Sequence, residues 1–214
     1  MRLVLPRLYV ILDAALLTHP EKEHVKNLAD AGVRLFQYRN KGASARELLA
    51  KSREIRELLD GQGATFFVND RPDIAVLAGA GGVHVGQTDL PAEQARAVVG
   101  SDKLLGVSTH NLEQFQAAAD SSADYIAVGP IFPTGTKRNP DPVVGTQFIR
   151  QVRPLTSKPI VAIGGITLER AAEVLEAGAD SVAVISDILC AADSRGRARQ
   201  YIDLFEAADR AAAH

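Results

Sequence analysis

Short apolar runs alternate with longer amphipathic segments along the chain. Most of these runs are apolar at every position, which is typical of parallel strands covered on both faces. The pattern predicts strands at Leu8–Leu12, Val33–Tyr38, Thr65–Val68, Gly82–Val85, Leu104–Val107, Tyr125–Val128, Pro159–Ile163 and Ser181–Ile185. Eight strands in 214 residues leave about 27 residues for each unit, the length of a βα repeat. We therefore predict a single (β/α)8 TIM barrel, with a doubly wound open sheet as the alternative.

Helical periodicity fills the intervals between these runs. The segment Ser44–Leu59 begins with a capping box, in which Ser44 is followed three residues later by Glu47. Thr167 is the expected cap of a later helix. Because no Ser/Gly-rich linker interrupts the chain, residues 1–214 are expected to form one domain.

Composition and charge exclude several classes of protein. The formal net charge is −2, so the chain has no excess of basic residues that would indicate a nucleic-acid partner. No apolar run approaches the roughly 20 residues of a membrane span. The single cysteine, Cys190, cannot form an internal disulfide, and we expect a cytoplasmic location. The outer helices of a barrel can pack against a second copy of the chain, so the sequence does not decide between a monomer and a homo-oligomer.

One segment has no helical period. Residues 129–144 contain four prolines together with the polar residues Thr134, Thr136 and Lys137. Loops of this length within compact domains are usually functional or disordered. The polar content favours a functional loop.

Two cations follow the second predicted strand, in the sequence Gln37-Tyr-Arg39-Asn-Lys41. Alternate side chains of a strand share a face, so Gln37, Arg39 and Lys41 are expected to converge. A planar guanidinium and a point-charge ammonium suit a phosphorylated ligand. The alternative is a solvated strand end with surface cations.

Carboxylates follow the next two predicted strands. Asp70 and Asp89 would face each other across the mouth of a barrel. Two carboxylates beside a polyphosphate would repel it, and a Mg²⁺ ion that bridges them would turn this repulsion into attraction. The alternatives are that Asp70 pairs with Arg71 and that Asp89 caps the helix beginning near Pro91.

A second anion site is predicted after the last two strands. Gly164-Gly165 ends the seventh strand and Ile185-Ser186 ends the eighth, and loops at these positions of a barrel often bind phosphate. A tight βα turn is the alternative for the two glycines. Ser108 adds a hydroxyl between the two sites, unless it caps the following helix.

The histidines do not indicate a catalytic base. His84 lies within an apolar strand and is expected to be packed and hydrogen-bonded. His110 approaches the mouth of the predicted barrel, but no acidic neighbour in the sequence is expected to orient it. Neither a Ser-His-Asp arrangement nor a cysteine nucleophile is indicated.

Taken in order, these motifs resemble the thiamine-phosphate synthase (thiamine-phosphate pyrophosphorylase) family over nearly the whole chain. Leu12 differs from the threonine that members often have there. The matching blocks are residues 8–13, 37–41, 68–71, 82–90, 106–110, 128–137, 161–166 and 182–186.

The resemblance implies a coupling reaction between two phosphorylated substrates. A hydroxymethylpyrimidine pyrophosphate would lose pyrophosphate, and the nitrogen of a hydroxyethylthiazole phosphate, or of its carboxylated precursor, would capture the pyrimidinylmethyl group. Carried onto matching positions, the pyrimidine pyrophosphate would be held by Gln37, Arg39, Lys41, Asn69, Ser108 and Lys137. Asp70 and Asp89 would bind Mg²⁺, and the thiazole phosphate would be held by Thr134, Gly135, Thr136, Gly165, Ile185 and Ser186.

The implied pathway is dissociative and needs no base. Catalysis would then rest on positioning and on stabilising the departing pyrophosphate, for which Arg39, Lys41, Ser108 and Lys137 are the expected catalytic residues. We also expect the 129–144 loop to close over the substrates. Two alternatives remain: a thiazole tautomerase-like relative on the same barrel, and a non-catalytic sensor of phosphorylated ligands.

Overall fold

Eight parallel strands close into a barrel in chain order in this computed structural model, which describes residues 3–18, 20–135 and 141–212. Each strand pairs with the next, and the last pairs with the first. The strands are β1 (Leu8–Asp13), β2 (Leu35–Arg39), β3 (Thr65–Asn69), β4 (Gly82–Val85), β5 (Leu104–Thr109), β6 (Tyr125–Val128), β7 (Ile160–Ile163) and β8 (Ser181–Val184). The (β/α)8 prediction is confirmed, because a closed barrel excludes the open sheet.

Helices follow the strands around the outside of the barrel. Within the described ranges they are α1 (Glu21–Asp30), α2 (Ala45–Leu58), α3 (Pro72–Leu77), α4 (Ala92–Val99), α5 (Leu112–Asp120), α6 (Gly145–Val152), α7 (Leu168–Glu176), α8 (Ser186–Leu189) and α9 (Ser194–Ala212). A 3₁₀ turn, Arg153–Leu155, follows α6. None of the helices described is both long enough and apolar enough to cross a bilayer.

Of the two predicted helix caps, one is confirmed and the other is not. Ser44 and Glu47 form the capping box at the start of α2, as expected. Thr167 occupies the N-cap position of α7, but its side chain makes no capping hydrogen bond, so that expectation is wrong. The predicted strands are all present, with ends that differ by at most two residues.

Alternation along the strands divides the core into two layers. On β1, Leu8, Val10 and Leu12 pack outward against the helices. Tyr9 and Ile11 point into the barrel, where they belong to a separate apolar cluster. Because both faces of each strand are covered, most strand positions are apolar.

Two aspartates fasten the amino ends of the strands. Asp124, just before β6, accepts a hydrogen bond from the backbone N–H of Leu105 and pairs with Arg96 of α4. Asp180, just before β8, does the same with Ile160 N–H and with Arg153. These clamps satisfy backbone donors at the end of the barrel that lies away from the cavity described next.

Candidate active site at the carboxyl ends of the strands

A cavity of about 280 Å³ opens at the carboxyl ends of the strands, where (β/α)8 barrels carry their active sites. All eight strands or the segments that follow them contribute to its wall. The predicted site residues that line it are Gln37, Arg39, Lys41, Asn69, Asp70, Asp89, Ser108, Thr134 and Ile185. The expected convergence of Gln37, Arg39 and Lys41 is therefore confirmed.

Other predicted residues lie beside this wall or outside the described ranges. Gly165 and Ser186 are not part of the lining, although their neighbours Gly164 and Ile185 are. Gly135 is exposed and also outside the lining. Thr136 and Lys137 fall outside the described residues.

Arg39 is held by a buried carboxylate. Asp13 ends β1 and lies opposite Arg39 in the register between β1 and β2. The guanidinium Nη1 pairs with Asp13 Oδ2, and the Asp13 side chain is only 4% exposed. Asp13 Oδ1 also accepts the backbone N–H of Ala15. The arrangement fixes the direction in which Arg39 enters the cavity.

Asp70 and Asp89 meet at the cavity wall, as the order of the strands predicts. Asp70 has φ of 63°, a left-handed conformation that few residues other than glycine adopt, and its N–H donates to His84 O. Lys41 Nζ lies 2.9 Å from Asp70 Oδ2. Asp89 Oδ2 accepts the backbone N–H of Gly86 at 2.7 Å.

The local alternatives for these carboxylates are wrong. Arg71 pairs with Asp73, two residues further on, and leaves Asp70 to Lys41. Asp89 does not cap α4: the N-cap position is Pro91, which makes no side-chain capping bond.

The two carboxyl groups form a site that suits a divalent cation. Burial, together with a hydrogen bond to Asp70 and the charge of Asp70, raises the pKa of Asp89. The positive charge of Lys41 offsets only part of this rise. A cation between the carboxylates would relieve this repulsion. No group of three or more His, Cys, Asp or Glu side chains is placed to hold a metal in the described ranges. Mg²⁺ sites that also use substrate phosphates need only one or two carboxylates.

On the opposite side, the Gly164–Gly165 turn packs closely against the first arm of the 129–144 loop. Both glycines have positive φ, at 98° and 64°. A Cβ at Gly165 would lie 2.4 Å from Pro133 O, and one at Gly164 would lie 2.6 Å from the Cα of Pro130. Phe132 N donates to Gly164 O at 3.0 Å. The two glycines therefore form the tight βα turn that the sequence offered as the alternative to a phosphate site. The turn also borders the cavity through Gly164.

His110 connects both arms of this loop. Its Nδ1 donates to Gly129 O at 2.5 Å, and its Nε2 lies 3.4 Å from Asp141 Oδ2. Asp141 is the acidic neighbour that the sequence did not identify. The barrel brings the two together because Asp141 belongs to the arm that returns to α6. Val144 N closes the base of the loop on Pro130 O at 2.9 Å.

His84 is packed and hydrogen-bonded, as predicted. Its ring contacts Tyr125 Oη through Nδ1 at 2.8 Å and Ser108 Oγ through Nε2 at 2.7 Å. Burial lowers the pKa of His84 to about 4, so the ring is neutral at physiological pH. Ser108 does not cap α5, because Asn111 Oδ1 accepts the Gln114 N–H there.

Sequence reasoning missed two lining residues, Tyr9 and Asp141, and two residues that contact the lining, Asp13 and Tyr125. A usable signal existed for Asp13 alone, since a charged residue ends a strand that is otherwise wholly apolar.

A closed parallel barrel whose mouth carries cations, paired carboxylates and a glycine turn defines a (β/α)8-barrel enzyme for phosphorylated substrates. A family model described as "Thiamine monophosphate synthase" matches residues 8–188. The chain belongs to this family and is an enzyme of thiamine biosynthesis.

Individual relatives agree with this assignment. A thiamine-phosphate synthase of Koribacter versatilis is 53% identical over 211 residues, covering 94% of this chain and 97% of the relative. One of Methanospirillum hungatei is 43% identical, covering 92% and 96%. Among solved structures, a thiamine phosphate pyrophosphorylase from Pyrococcus furiosus has a TM-score of 0.85 and 36% identity, covering 94% of this chain and 95% of that one.

Proposed function

We propose that this chain joins 4-amino-2-methyl-5-hydroxymethylpyrimidine pyrophosphate to 4-methyl-5-(2-hydroxyethyl)thiazole phosphate and releases thiamine phosphate and pyrophosphate. With the carboxylated precursor of the thiazole, CO₂ is lost as well. The observation that carries the proposal is one cavity with cations beside a carboxylate pair on one side and a tight glycine turn on the other. Each side suits one of the two phosphorylated substrates.

The pyrophosphate is assigned to the side of β2 and β3. Arg39, oriented by Asp13, offers two parallel N–H donors, and Lys41 offers a mobile point charge whose side chain is 54% exposed. Gln37, Asn69 and Ser108 line the same wall and would hold the pyrimidine and its first phosphate. Lys137 joins them in the proposal because of its place in the family motif.

Asp70 and Asp89 would hold Mg²⁺. The raised pKa of Asp89 beside Asp70 supports this assignment, because like charges brought together need a counter-ion. When bound, Mg²⁺ would supply positive charge to the pyrophosphate as it leaves. The protein's own part is to hold two carboxylates together and keep Lys41 within 2.9 Å of one of them.

The thiazole phosphate is assigned to the opposite side, with Thr134 and Ile185 in the cavity wall and Gly135, Gly165 and Ser186 next to residues of that wall. Thr136 lies outside the described residues and joins them because of its place in the family motif. The turn before α7 exposes backbone N–H groups, which bind phosphate well at such positions. This arrangement would place the thiazole between the turn and Ser108.

The absence of an assigned base agrees with the proposed chemistry. The thiazole nitrogen attacks through its lone pair and carries no proton, so no side chain has to remove one. The bond between the pyrimidine methylene and the pyrophosphate oxygen breaks with both electrons leaving on oxygen. Arg39 and Lys41 would stabilise that charge, while the cavity holds the two substrates in line.

The 129–144 loop would exclude water from the reactive methylene cation. Its two arms are attached to the barrel through His110, and the bond between Val144 and Pro130 closes the base of the loop. We expect amide exchange in the described arms to slow when both substrates' analogues are bound. Equal exchange with and without ligands would remove the lid from the proposal.

Release of pyrophosphate from a mixture of the purified protein, both substrates and Mg²⁺ tests the function. Each substrate alone, and the mixture treated with EDTA, serve as controls. Binding of both ligands without release would indicate a sensor, and interconversion of thiazole tautomers without coupling would indicate a tautomerase-like relative.

A further inference from the structure

We propose that Tyr9, Tyr125 and His84 are positioning residues that orient the Ser108 hydroxyl so that its proton points into the cavity. They form one continuous chain of hydrogen bonds across the barrel interior, from Gln37 to Ser108. The role of the oriented hydroxyl in the reaction rests on the proposed function, whereas the orientation itself is a property of the free protein.

The sequence allows the chain to form because of one glycine. His84 on β4, Gly106 on β5 and Tyr125 on β6 lie at one level of the barrel in the strand register. A Cβ at Gly106 would lie 2.0 Å from Cζ of Tyr125. The missing side chain lets the tyrosine ring lie over β5 and stack on His84, with ring centres 5.6 Å apart. Tyr125 then reaches Tyr9, whose Oη is 3.1 Å from its own.

The chain has a direction because it begins at a group that can only donate. Gln37 Nε2 donates to Tyr9 Oη at 2.9 Å. The Tyr9 proton then goes to Tyr125 Oη, and the Tyr125 proton goes to His84 Nδ1. The opposite order would make Tyr9 Oη accept from both Gln37 and Tyr125 and would leave the buried Tyr9 proton without an acceptor among the hydrogen bonds described for it. The order that gives each of these protons an acceptor therefore runs from Gln37 to Ser108.

His84 transmits this order to Ser108. A neutral imidazole carries one proton, and because Nδ1 accepts from Tyr125, the proton lies on Nε2. Nε2 therefore donates to Ser108 Oγ, 2.7 Å away. Ser108 keeps its own proton for a further acceptor, and Ser108 lines the cavity.

Burial makes the order stable. Tyr9 is 1% exposed, Tyr125 is fully buried and Gln37 is 2% exposed, so water does not compete for these groups. A reversed chain would point the Ser108 proton back at His84 and leave only a lone pair for the substrate. In the proposed reaction, the inferred order makes Ser108 a donor toward the pyrimidine pyrophosphate.

The tautomer of His84 tests the inference without any substrate. Long-range ¹H–¹⁵N correlation spectra of the full-length protein are expected to show the Nε2–H form, and the Nδ1–H form would overturn the proposal. In Gln37→Glu at about pH 9, with ionisation of the new carboxylate checked by its ¹³C shift, the chain should reverse and the proton should move to Nδ1. An unchanged tautomer there would mean that Gln37 does not set the direction, and the proposal would fail.

Kinetics provide the second readout. Tyr125→Phe should retain the fold but lose about tenfold in kcat, with KM for the thiazole phosphate unchanged, because Ser108 is no longer held in one orientation. Tyr38→Phe is the matched control, since it removes a hydrogen bond to Glu21 and one from Asn40, both on the outer side of the barrel. It should change neither the tautomer nor kcat. A Tyr125→Phe enzyme with wild-type kcat would refute the positioning role, while absence of pyrophosphate release by the wild type would instead refute the proposed function.

Discussion

The carboxylate of Asp13 faces the guanidinium of Arg39 across the register between β1 and β2, at the carboxyl ends of these strands. The acid is almost completely buried, whereas the base is 22% exposed on its cavity side. A buried carboxylate needs its partner, so the pair fixes Arg39 in one orientation and presents its remaining donors to a ligand. The strand pairing of the barrel thus determines where the first cation of the site lies.

Replacing Asp13 by Asn should therefore weaken both binding and the fold. We expect KM for the pyrimidine pyrophosphate to rise about 10- to 100-fold, because a misplaced clamp loses aligned contacts. The free energy of unfolding should fall by roughly 2 kcal/mol. Steady-state kinetics and urea denaturation measure the two effects. Asp209→Asn removes the exposed pair with Arg7 and is the control; equal KM values in both variants would contradict the role of Asp13.

The paired carboxylates predict a metal dependence. Asp70→Asn and Asp89→Asn should each lower kcat/KM by about 100-fold and raise the Mg²⁺ concentration needed for half-maximal rate. Asp73→Asn removes a nearby carboxylate that pairs with Arg71 at the surface, and it should have little effect. Mg²⁺ titrations of the rate provide the comparison. Wild-type Mg²⁺ dependence in both Asp70 and Asp89 variants would exclude the metal assignment.

The raised pKa of Asp89 predicts a pH dependence of metal binding. Burial and the neighbouring Asp70 favour the protonated form, so Asp89 takes up a proton at a higher pH than an ordinary aspartate. Mg²⁺ needs the carboxylate, and its affinity should therefore fall on acidification before that of an exposed aspartate site would.

Titration of the Asp89 side chain by ¹³C NMR, in metal-free protein, checks the direction of this shift. In Asp70→Asn the like charge is gone, and the Asp89 midpoint should move to lower pH. Asp73→Asn should leave the midpoint where it is. A midpoint that does not respond to Asp70→Asn would show that the two carboxylates titrate independently.

The sequence predicts this fold well because its signals are local. Fully apolar runs indicate buried parallel strands, and the alternation of Gln37, Arg39 and Lys41 places them on one face whatever the neighbouring strands are. Asp70 and Asp89 follow consecutive strands, so a closed barrel brings them together without further information.

The remaining contacts depend on how distant segments align. Tyr9 and Tyr125 are 116 residues apart in the chain, and only the closed barrel makes them neighbours. His110 contacts Asp141 because the loop returns toward α6, and no local sequence pattern indicates that return. The caps expected from Asp89 and Ser108 fail because other partners bind these side chains: the nearby Gly86 N–H for Asp89, and His84 of the neighbouring strand for Ser108.

Close packing of the Gly164–Gly165 turn predicts the effect of an added methyl group. Gly165→Ala meets Pro133 O at 2.4 Å and also strains a backbone with φ of 64°. Gly61→Ala is the matched control, because Gly61 has φ of 72° and nothing within 4 Å of the added carbon. Gly61→Ala should cost about 1 kcal/mol of unfolding free energy, from backbone strain alone.

Gly165→Ala should cost at least 1–3 kcal/mol more, roughly the penalty for overpacking, and should raise KM for the thiazole phosphate. KM for the pyrimidine pyrophosphate should change less, because its proposed binding groups lie on the other side of the cavity. Thermal melts and two-substrate kinetics measure both effects. Equal stability and equal KM values in the two alanine variants would show that the contact between turn and loop has no role in binding.

The clamps at the amino ends of the strands should matter for stability and not for catalysis. Asp180→Ala leaves the Ile160 N–H without its side-chain acceptor and separates Arg153 from its carboxylate. Losing such an acceptor costs about 1–3 kcal/mol, which corresponds to a fall in Tm of roughly 2–10 °C for a chain of this size. Asp124→Ala should act similarly through Leu105 and Arg96.

Asp203→Ala breaks only an exposed pair with Arg199, so it should melt within about 1 °C of the wild type. Calorimetry and assays at a temperature where all variants are folded separate the two properties. If either clamp variant melts like Asp203→Ala, or loses kcat while folded, this division between a stabilising end and a catalytic end is wrong.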